Sequence, residues 1–463
     1  MPLVAGVDSS TSACKVEVRD LDTGALVSSG RAPHPPTTPP RSEQDVTAWW
    51  DAFEAAAEEA GVHGANRPAA ISVAGQQHGM VVLDSTRAPL RPAKLWNDTE
   101  SAPDSETLIE LLGSAGWADA CGSVPVPAFT ITKLHWLRRV HPAVFDRVAH
   151  VLLPHDWLTH RLTGELTTDR GDASGTGWWS ASTNQYRHDL LALVGAADTW
   201  LPTVVDPTGR AGEWNGITVA AGTGDNMAAA VGLGMRPGDL ALSLGTSGTA
   251  FSVADEPTAD PSGTVAGFAD ATGRFLPLVC TLNATKVTDA VARLLGVSPA
   301  ELDALALAAP SGAGGLTLVP HFDGERTPNR PDATGSLVGL RSDVSRECLA
   351  RAAVEGVVCN LLAGAGQLPS GPARVLLTGG GAHSRAFRQV VANLVGRPVV
   401  AMVDDELVAL GAALQAAVAL SGASFEDVAS SWAVGEGQTI DPDPSADPVA
   451  IRSAYAEAVD ERL

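Results

Sequence analysis

The sequence predicts an α/β chain of two similar domains facing one cleft, on three observations. Strand-like and helix-like segments alternate along most of its 463 residues. Two hairpin-like segments with small-residue turns bearing Thr and Ser lie roughly half a chain apart. The length also exceeds what one ordinary core fills, so about two or three domains are expected. The boundary is placed near Arg236-Pro237-Gly238, which gives domains 1–236 and 237–463.

The elements follow in order. Leu3–Val7 is an apolar run that ends in Asp8-Ser9-Ser10-Thr11-Ser12, and Lys15–Arg19 alternates as a second strand. Asp22-Thr23-Gly24 makes a turn and Ala25–Ser29 a third strand. Val46–Ala60 is amphipathic and helix-like, and Ala69–Ala74 is a short buried strand. Ile217–Ala221 reads as a strand that feeds Gly222-Thr223-Gly224-Asp225, with a helix over Asn226–Leu233. Asp239–Leu244 repeats the opening pattern, ends in Gly245-Thr246-Ser247-Gly248, and returns through Thr249–Val253. Helices are expected over Ser298–Ala309, Arg346–Leu362, Ser384–Val395 and Glu406–Leu420. Val375-Leu376-Leu377 is a strand that ends in Thr378-Gly379-Gly380-Gly381.

Charge and cysteine use exclude several function classes. Thirty-one basic against 53 acidic residues give a net charge of −22. Such a surface repels nucleic acid and anionic membranes. It also repels a nucleotide, so any phosphate site must be built locally from backbone N–H groups, a metal ion and a few cations. Five widely spaced cysteines without a C-x-x-C argue against a disulfide frame or a zinc site. No signal segment and no run of ~18 apolar residues is evident. A cytoplasmic protein is therefore expected.

The chemistry-bearing residues sit at strand tips. No Gly-Lys pair occurs, so a Walker A loop is excluded. No His-Arg-Asp occurs, so a protein-kinase site is excluded too. A small-residue turn after a strand exposes successive N–H groups that can cradle a phosphate. Asp8 at such a tip suits a Mg²⁺ ion held through water, or is an ordinary Asx-turn. Thr246 and Ser247 pose the same choice. Asp225, flanked by glycine at a helix start, suits a general base or a helix cap, with Asn226 beside it for a neighbouring hydroxyl. Gln77 and His78 in Gly75-Gln76-Gln77-His78-Gly79 suit sugar hydroxyls, as does Asn97 or Asp98 in Trp96-Asn97-Asp98, where Trp96 can stack on the apolar face of a sugar. Each of these has a structural alternative, a satisfied His or a core Trp beside a turn. Gly380 and Gly381, in a strand-to-helix turn that reaches Ser384, let an adenine or ribose lie against backbone.

Taken together and in this order, the first hairpin, Gly-Gln-Gln-His-Gly, Leu-Trp-Asn-Asp, Gly-Thr-Gly-Asp-Asn, Ser-Leu-Gly-Thr-Ser-Gly, Gly-Glu-Arg-Thr-Pro and Gly-Gly-Gly-Ala-His-Ser resemble the FGGY carbohydrate kinases. The resemblance runs from Leu3 to about Leu420. Gly75–Gly79 with Leu95–Asp98 is similar to the branch that phosphorylates D-xylulose at its 5-hydroxyl. It implies two ribonuclease H-like, actin/hexokinase-type domains with an interdomain cleft. It implies MgATP held mainly by the C-terminal half and sugar mainly by the N-terminal half. Asp225 matches the general base and Asp8 the acid near Mg²⁺. Gln77, His78 and Asn226 match sugar contacts. Thr11, Ser12 and Lys15 match the first phosphate hairpin, Gly245, Thr246 and Ser247 the second, and Gly380, Gly381 and Ser384 the adenosine region. The role of the Phe322–Pro328 loop, with Glu325-Arg326-Thr327-Pro328, stays open. A homodimer is expected only by analogy.

Three departures stand out. Ser10 and Ala13 replace the usual glycines of the first hairpin, which would be strained if Ser10 needed positive φ. Cys348 replaces a polar residue in the second signature, and Ala128 breaks the start of the first, while Thr130, Lys133 and Trp136 remain. Within the family, the rival substrates to xylulose are ribulose, gluconate, glycerol and other polyols. A catalytically silent sugar-binding relative and an actin-like ATPase are the alternatives of another class.

Overall fold

The computed structural model describes residues 2–369, 373–402 and 406–460. The chain folds into two compact units. The first holds Met1–Met235, Ala254–Leu276 and Glu406–Gly435, the second Arg236–Val253, Pro277–Asp405 and Glu436–Leu463. A single cut after residue 236 therefore differs from the observed division. The chain first changes unit at that point, but two later segments return to the first unit. The physical reason lies in the helix Leu407–Ser421, which is apolar nearly all round and needs a deep berth.

In the first unit, β1 (Leu3–Ser9), β2 (Ala13–Asp20) and β3 (Leu26–Pro33) form an antiparallel meander. β4 (Ala70–Gly75) runs parallel to β1 on its other side. β5 (Arg210–Trp214) and β6 (Ile217–Ala220) extend the sheet, whose order is β5-β6-β4-β1-β2-β3. The short β7 (Thr223–Gly224) also pairs with β4. α1 (Val46–Glu59) is N-capped by Asp45 and buries Val46, Trp49, Phe53, Ala56 and Ala57, the i, i+3, i+7 stripe that its sequence spells. Trp49 and Phe53 join Val7, Val16, Ile71, Val73 and Trp157 in the core of this unit.

α2 (Pro154–Thr163), α3 (Arg170–Ala173), α4 (Asp225–Gly232) and α5 (Leu407–Ser421) complete the frame around the strand tips. α5 lies against β1, β4 and α4. Its approach is close because small residues line it. A Cβ on Gly411 would stand 1.9 Å from the Ala228 carbonyl oxygen, and one on Gly232 2.0 Å from that of Leu407. Ala74, Ala228 and Ala412 fill the seam.

The second unit repeats the plan. β8 (Leu240–Leu244), β9 (Gly248–Ser252) and β10 (Phe275–Thr281) form an antiparallel meander, and β11 (Val375–Thr378) runs parallel to β8. β12 (Val399–Met402) and β13 (Gly437–Ile440) follow in the order β10-β9-β8-β11-β12-β13. The echo heard in the sequence is thus a repeated topology: a hairpin, then a strand parallel to its first arm. The helix Arg346–Ala365 is long and apolar enough to cross a membrane by length and composition, but most of it is buried in this unit.

Candidate active site

Strand register assembles the site of the first unit. Asp8 pairs across to Ala74, and Ala74 to Thr223, while Ser9 pairs to Gly75 and Gly75 to Gly224. Three chain tips therefore end side by side: Ser9-Ser10-Thr11, Gln76-Gln77-His78 and Gly224-Asp225-Asn226. Gly224 must be small, because a Cβ there would stand 2.7 Å from Gln77 Cγ.

Asp225 is the first residue of α4 and is half-buried. It does not cap the helix: Gly224 occupies the N-cap position and no side-chain cap bond forms. Asp225 Oδ1 accepts from the Asn226 backbone N–H (2.8 Å) and from Asn226 Nδ2 (3.1 Å). Asn226 Nδ2 also donates to Gln77 Oε1 (2.7 Å), which ties the second tip to the third. Burial, then the negative charges of Asp8 and Asp172, pushes the Asp225 carboxyl up to about 7. A carboxylate poised there accepts and releases a proton near neutral pH. Gln76 and Gln77 are both buried, and the Nε2 donor of each has no hydrogen-bond partner among the described residues. Unpaired buried donors are costly, and a polar group at this tip would satisfy them.

His78 has φ +64° and its ring Nδ1 lies 2.9 Å from the Gly175 carbonyl oxygen, packed on Phe129 and Phe268. Lys133, a residue whose importance the sequence reading passed over, lies wholly buried beneath it. Its Nζ donates to the carbonyls of His78 (3.1 Å) and Ala128. Burial drives its ammonium pKa down, against the pull of Asp98. The Ala128 position thus contributes through its backbone oxygen, which any residue supplies.

Asp8 is buried, and burial raises its carboxyl above the ordinary range against the pull of Ser10 and Lys15. Lys15 Nζ stands 3.6 Å from Asp8 Oδ2 and 2.5 Å from Glu406 Oε2. Ser10 is not among the residues with positive φ; its hydroxyl donates to Asp8 Oδ1 and its N–H to the Ala13 carbonyl (3.1 Å). The hairpin therefore accommodates Ser10 and Ala13 without left-handed backbone. Thr11 Oγ1 accepts from Trp96 Nε1 (2.9 Å) and donates toward Gln76 Oε1 (3.3 Å). Ser12 is exposed. Trp96 keeps 39% of its surface exposed, so its ring is open to a ligand.

Asp98 is the exception among the expected sugar contacts. It is fully buried, pairs with Lys94 Nζ (2.8 Å), and accepts from the backbone N–H of Ser42 (2.8 Å) and Glu100 (3.0 Å). Its oxygens are committed to the fold, so the assignment as a sugar ligand is withdrawn. Glu43, Asp98 and Glu100 cluster as metal ligands do, but Lys94 already sits 3.7, 2.8 and 2.6 Å from them. An ammonium takes the place a cation would need.

The second unit carries its own pocket, of roughly 440 Å³. Gly245, Thr246, Asp289, Gly380, Gly381 and Ser384 are among the residues that line it. A Cβ on Gly380 would meet nothing within 4 Å, so that turn faces open space. Ser384 N-caps the helix Arg385–Val395 through the Phe387 N–H (3.0 Å) and donates to Asp303. The Gly245 turn is pinned from behind: Thr285 N–H donates to the Gly245 carbonyl (3.0 Å) and Ala284 N–H to that of Thr246 (3.2 Å).

Glu325 gives the open loop a role. It is buried and accepts four bonds, from the N–H groups of Leu282 and Arg326 and from the side-chain amides of Asn283 and Asn360, at 2.5 to 2.9 Å. It thereby fixes the Leu282–Thr285 segment that holds the Gly245 turn. Glu325→Ala leaves four donors unmatched and is expected to cost about 3 kcal/mol or more. Urea unfolding followed by tryptophan fluorescence checks this. A loss below about 1 kcal/mol would show that the loop holds itself without the carboxylate.

Two α/β units of one plan, with a poised carboxylate at one strand tip and a glycine-lined pocket in the other unit, define a phosphotransferase of the sugar-kinase type. The family models agree: the N-terminal domain of the FGGY family of carbohydrate kinases matches residues 3–232, and its C-terminal domain residues 240–420. The chain belongs to the FGGY family of carbohydrate kinases. It is 49% identical over 457 residues to the xylulose kinase of Streptomyces coelicolor, covering 95% of this chain and 92% of that one. It is 48% identical over 456 residues to the xylulose kinase of Streptomyces rubiginosus, with the same coverage. Among solved structures, the xylulose kinase of Bifidobacterium adolescentis superposes with a TM-score of 0.88 at 42% identity, over 99% of both chains.

Proposed function

We propose that this chain transfers the γ-phosphoryl group of ATP to the 5-hydroxyl of D-xylulose. The observation that carries the reading is Asp225: a half-buried carboxylate at a strand tip, pushed up to about 7 by burial and two neighbouring acids. The similarity to xylulose kinases over nearly the whole chain supports the choice of sugar. Asp225 takes the proton of the attacking hydroxyl. The sugar oxygen forms a bond to the γ-phosphorus as the bond from that phosphorus to the bridging oxygen breaks, and ADP leaves with the electron pair. Gln77, His78 and Asn226 bind and orient the sugar hydroxyls, with Trp96 as an apolar face. The Gly245-Thr246-Ser247 turn offers N–H groups to the nucleotide phosphates, and Gly380 and Gly381 leave room for its adenosine.

Asp8 fits a Mg²⁺ ion. It is a hard oxygen donor, buried and lifted in pKa, and its charge reaches Asp225, so a cation there relieves both burial and repulsion. When bound, the ion neutralises phosphate charge. ADP formation is expected to stop with a chelator and return with added Mg²⁺. Persistence of full turnover in the chelator would remove Asp8 from this role. ATP as a substrate implies work in the cytoplasm.

A coupled ADP-release assay over ketoses, polyols and aldonates tests the whole reading. D-xylulose should give the highest kcat/KM. ADP release without sugar, or a clear preference for ribulose, gluconate or glycerol, would replace it.

A further inference from the structure

We propose that His155, enclosed by Asp156, Asp169 and Asp172, is a positioning residue that holds the sugar-side tip and the base-bearing tip in one arrangement. The inference rests on the reading of Asp225 as the base.

His155 stands in the first turn of α2 and has no exposed surface. Its Nδ1 lies 2.8 Å from Asp172 Oδ2, and its Nε2 lies 3.1 Å from Asp156 Oδ1 and 3.8 Å from Asp169 Oδ1. Burial opposes a charge on the ring, but Asp156, Asp172 and Asp169 outweigh it and push the imidazole up to about 9. A cation at a helix N-terminus is electrostatically misplaced, so the fold keeps it for what surrounds it.

Its surroundings are the two tips. A Cβ on Gly75, just before Gln76-Gln77-His78, would stand 2.8 Å from the His155 backbone nitrogen. One on Gly222, just before Thr223-Gly224-Asp225, would stand 2.7 Å from His155 Cδ2. His155 therefore packs under both chain tips, its backbone and Cβ against Gly75 and its ring against Gly222. Asp169 accepts from Thr223 Oγ1 (2.8 Å) and caps α3 through the N–H groups of Gly171 and Asp172. The backbone amide of His78 acts on the Asp172 carboxylate, and the Gly175 carbonyl, three residues on, meets the His78 ring. The path from His155 thus reaches His78 through Asp172, and Asp225 through Asp169 and Thr223. None of these four buried groups is the base or a sugar contact in the proposed mechanism.

The charges that face Asp225 are Asp8 and Asp172, and Asp8 in turn faces Lys15 and Glu406. Those that face His155 are Asp156 on its own helix and Asp169 and Asp172 from the α3 segment; Tyr186 senses Asp156. Asp172 thus faces both groups: it meets His155 Nδ1, and its charge lifts the Asp225 carboxyl.

The test measures kcat, KM for D-xylulose and the pH profile of kcat/KM in the full chain and in the variants His155→Gln, His155→Lys, Asp172→Asn and Asp225→Asn. Each variant is first checked for folding by circular dichroism. His155→Gln should lose at least about tenfold in kcat/KM, and His155→Lys, which restores a cation, should recover most of it. Asp172→Asn should move the acid limb of the profile to lower pH by about one pH unit. A His155→Lys enzyme no better than His155→Gln, or an unmoved limb in Asp172→Asn, overturns the inference. Should His155→Gln not fold, His155→Lys against wild type and the Asp172→Asn limb decide it. An inactive wild type, or an active Asp225→Asn, overturns the base assignment and this inference with it. An enzyme that needs Asp225 but shows neither effect overturns this inference alone.

Discussion

Asp225→Asn is expected to lower kcat by about 10²- to 10⁴-fold, the usual worth of a positioned general base, while D-xylulose and ATP still bind. The amide keeps the size of the side chain and its place beside Asn226 and Gln77, but it cannot take a proton. Coupled ADP assays give the rate and calorimetry gives the binding. The pH dependence has a definite sign. The base works as a carboxylate, so kcat/KM of the wild type should rise with pH through about 7 and level off above it. Stability runs the other way. The folded carboxyl is raised above its unfolded value of 3.8, so the fold favours the protonated form. That contribution is complete below the unfolded value and is lost as pH rises through about 7. Asp225→Asn should therefore gain more in Tm at pH 8 than at pH 5. Turnover like that of the wild type, or an equal Tm gain at both pH values, would remove the carboxylate from the role given to it.

Gly411→Val is the second large effect expected. Gly411 faces Ala228 on α4 so closely that a Cβ would stand 1.9 Å from a carbonyl oxygen and 2.9 Å from the Gly232 nitrogen. Neither is the movable end of a side chain; both are helix backbone. α4 and α5 must separate, and Ala74, Ala228 and Ala412 lose their packing. The cost is expected at about 3 kcal/mol or more. α4 begins at Asp225, so its displacement also moves the base, and a shift of about 1 Å is enough to lose about 10²-fold in rate. Thermal unfolding and the ADP assay should therefore fall together. A variant that keeps its Tm and its rate would show that the helices do not approach as described.

Asp225 was legible because a strand, a pair of glycines and an acid at a helix start form a local pattern, and local patterns survive in one dimension. The same holds for the Gly245 turn, for α1 with its apolar stripe, and for the repeated hairpin. Gly411 was legible only as part of a helix. Its value lies in Ala228, 183 positions away in the chain. Asp98 went wrong for the same reason. Its neighbour Trp96 and its polar surroundings suggest a sugar contact, yet Lys94, one helical turn's distance away in sequence, captures it in the folded interior. The Lys133 and His155 contributions also escaped, since a buried basic side chain is recognised by what encloses it.

The sequence by itself determined the α/β class, the twin hairpins, the absence of a Walker A loop and the candidate base, because backbone preferences and turn chemistry act over a few residues. Tertiary structure alone decided that α5 belongs to the first unit, that Asp98 is spent on Lys94, and that four buried titratable groups stand behind the tips that bear His78 and Asp225. Burial and charge act through space, and neither is written in the spacing of residues along the chain.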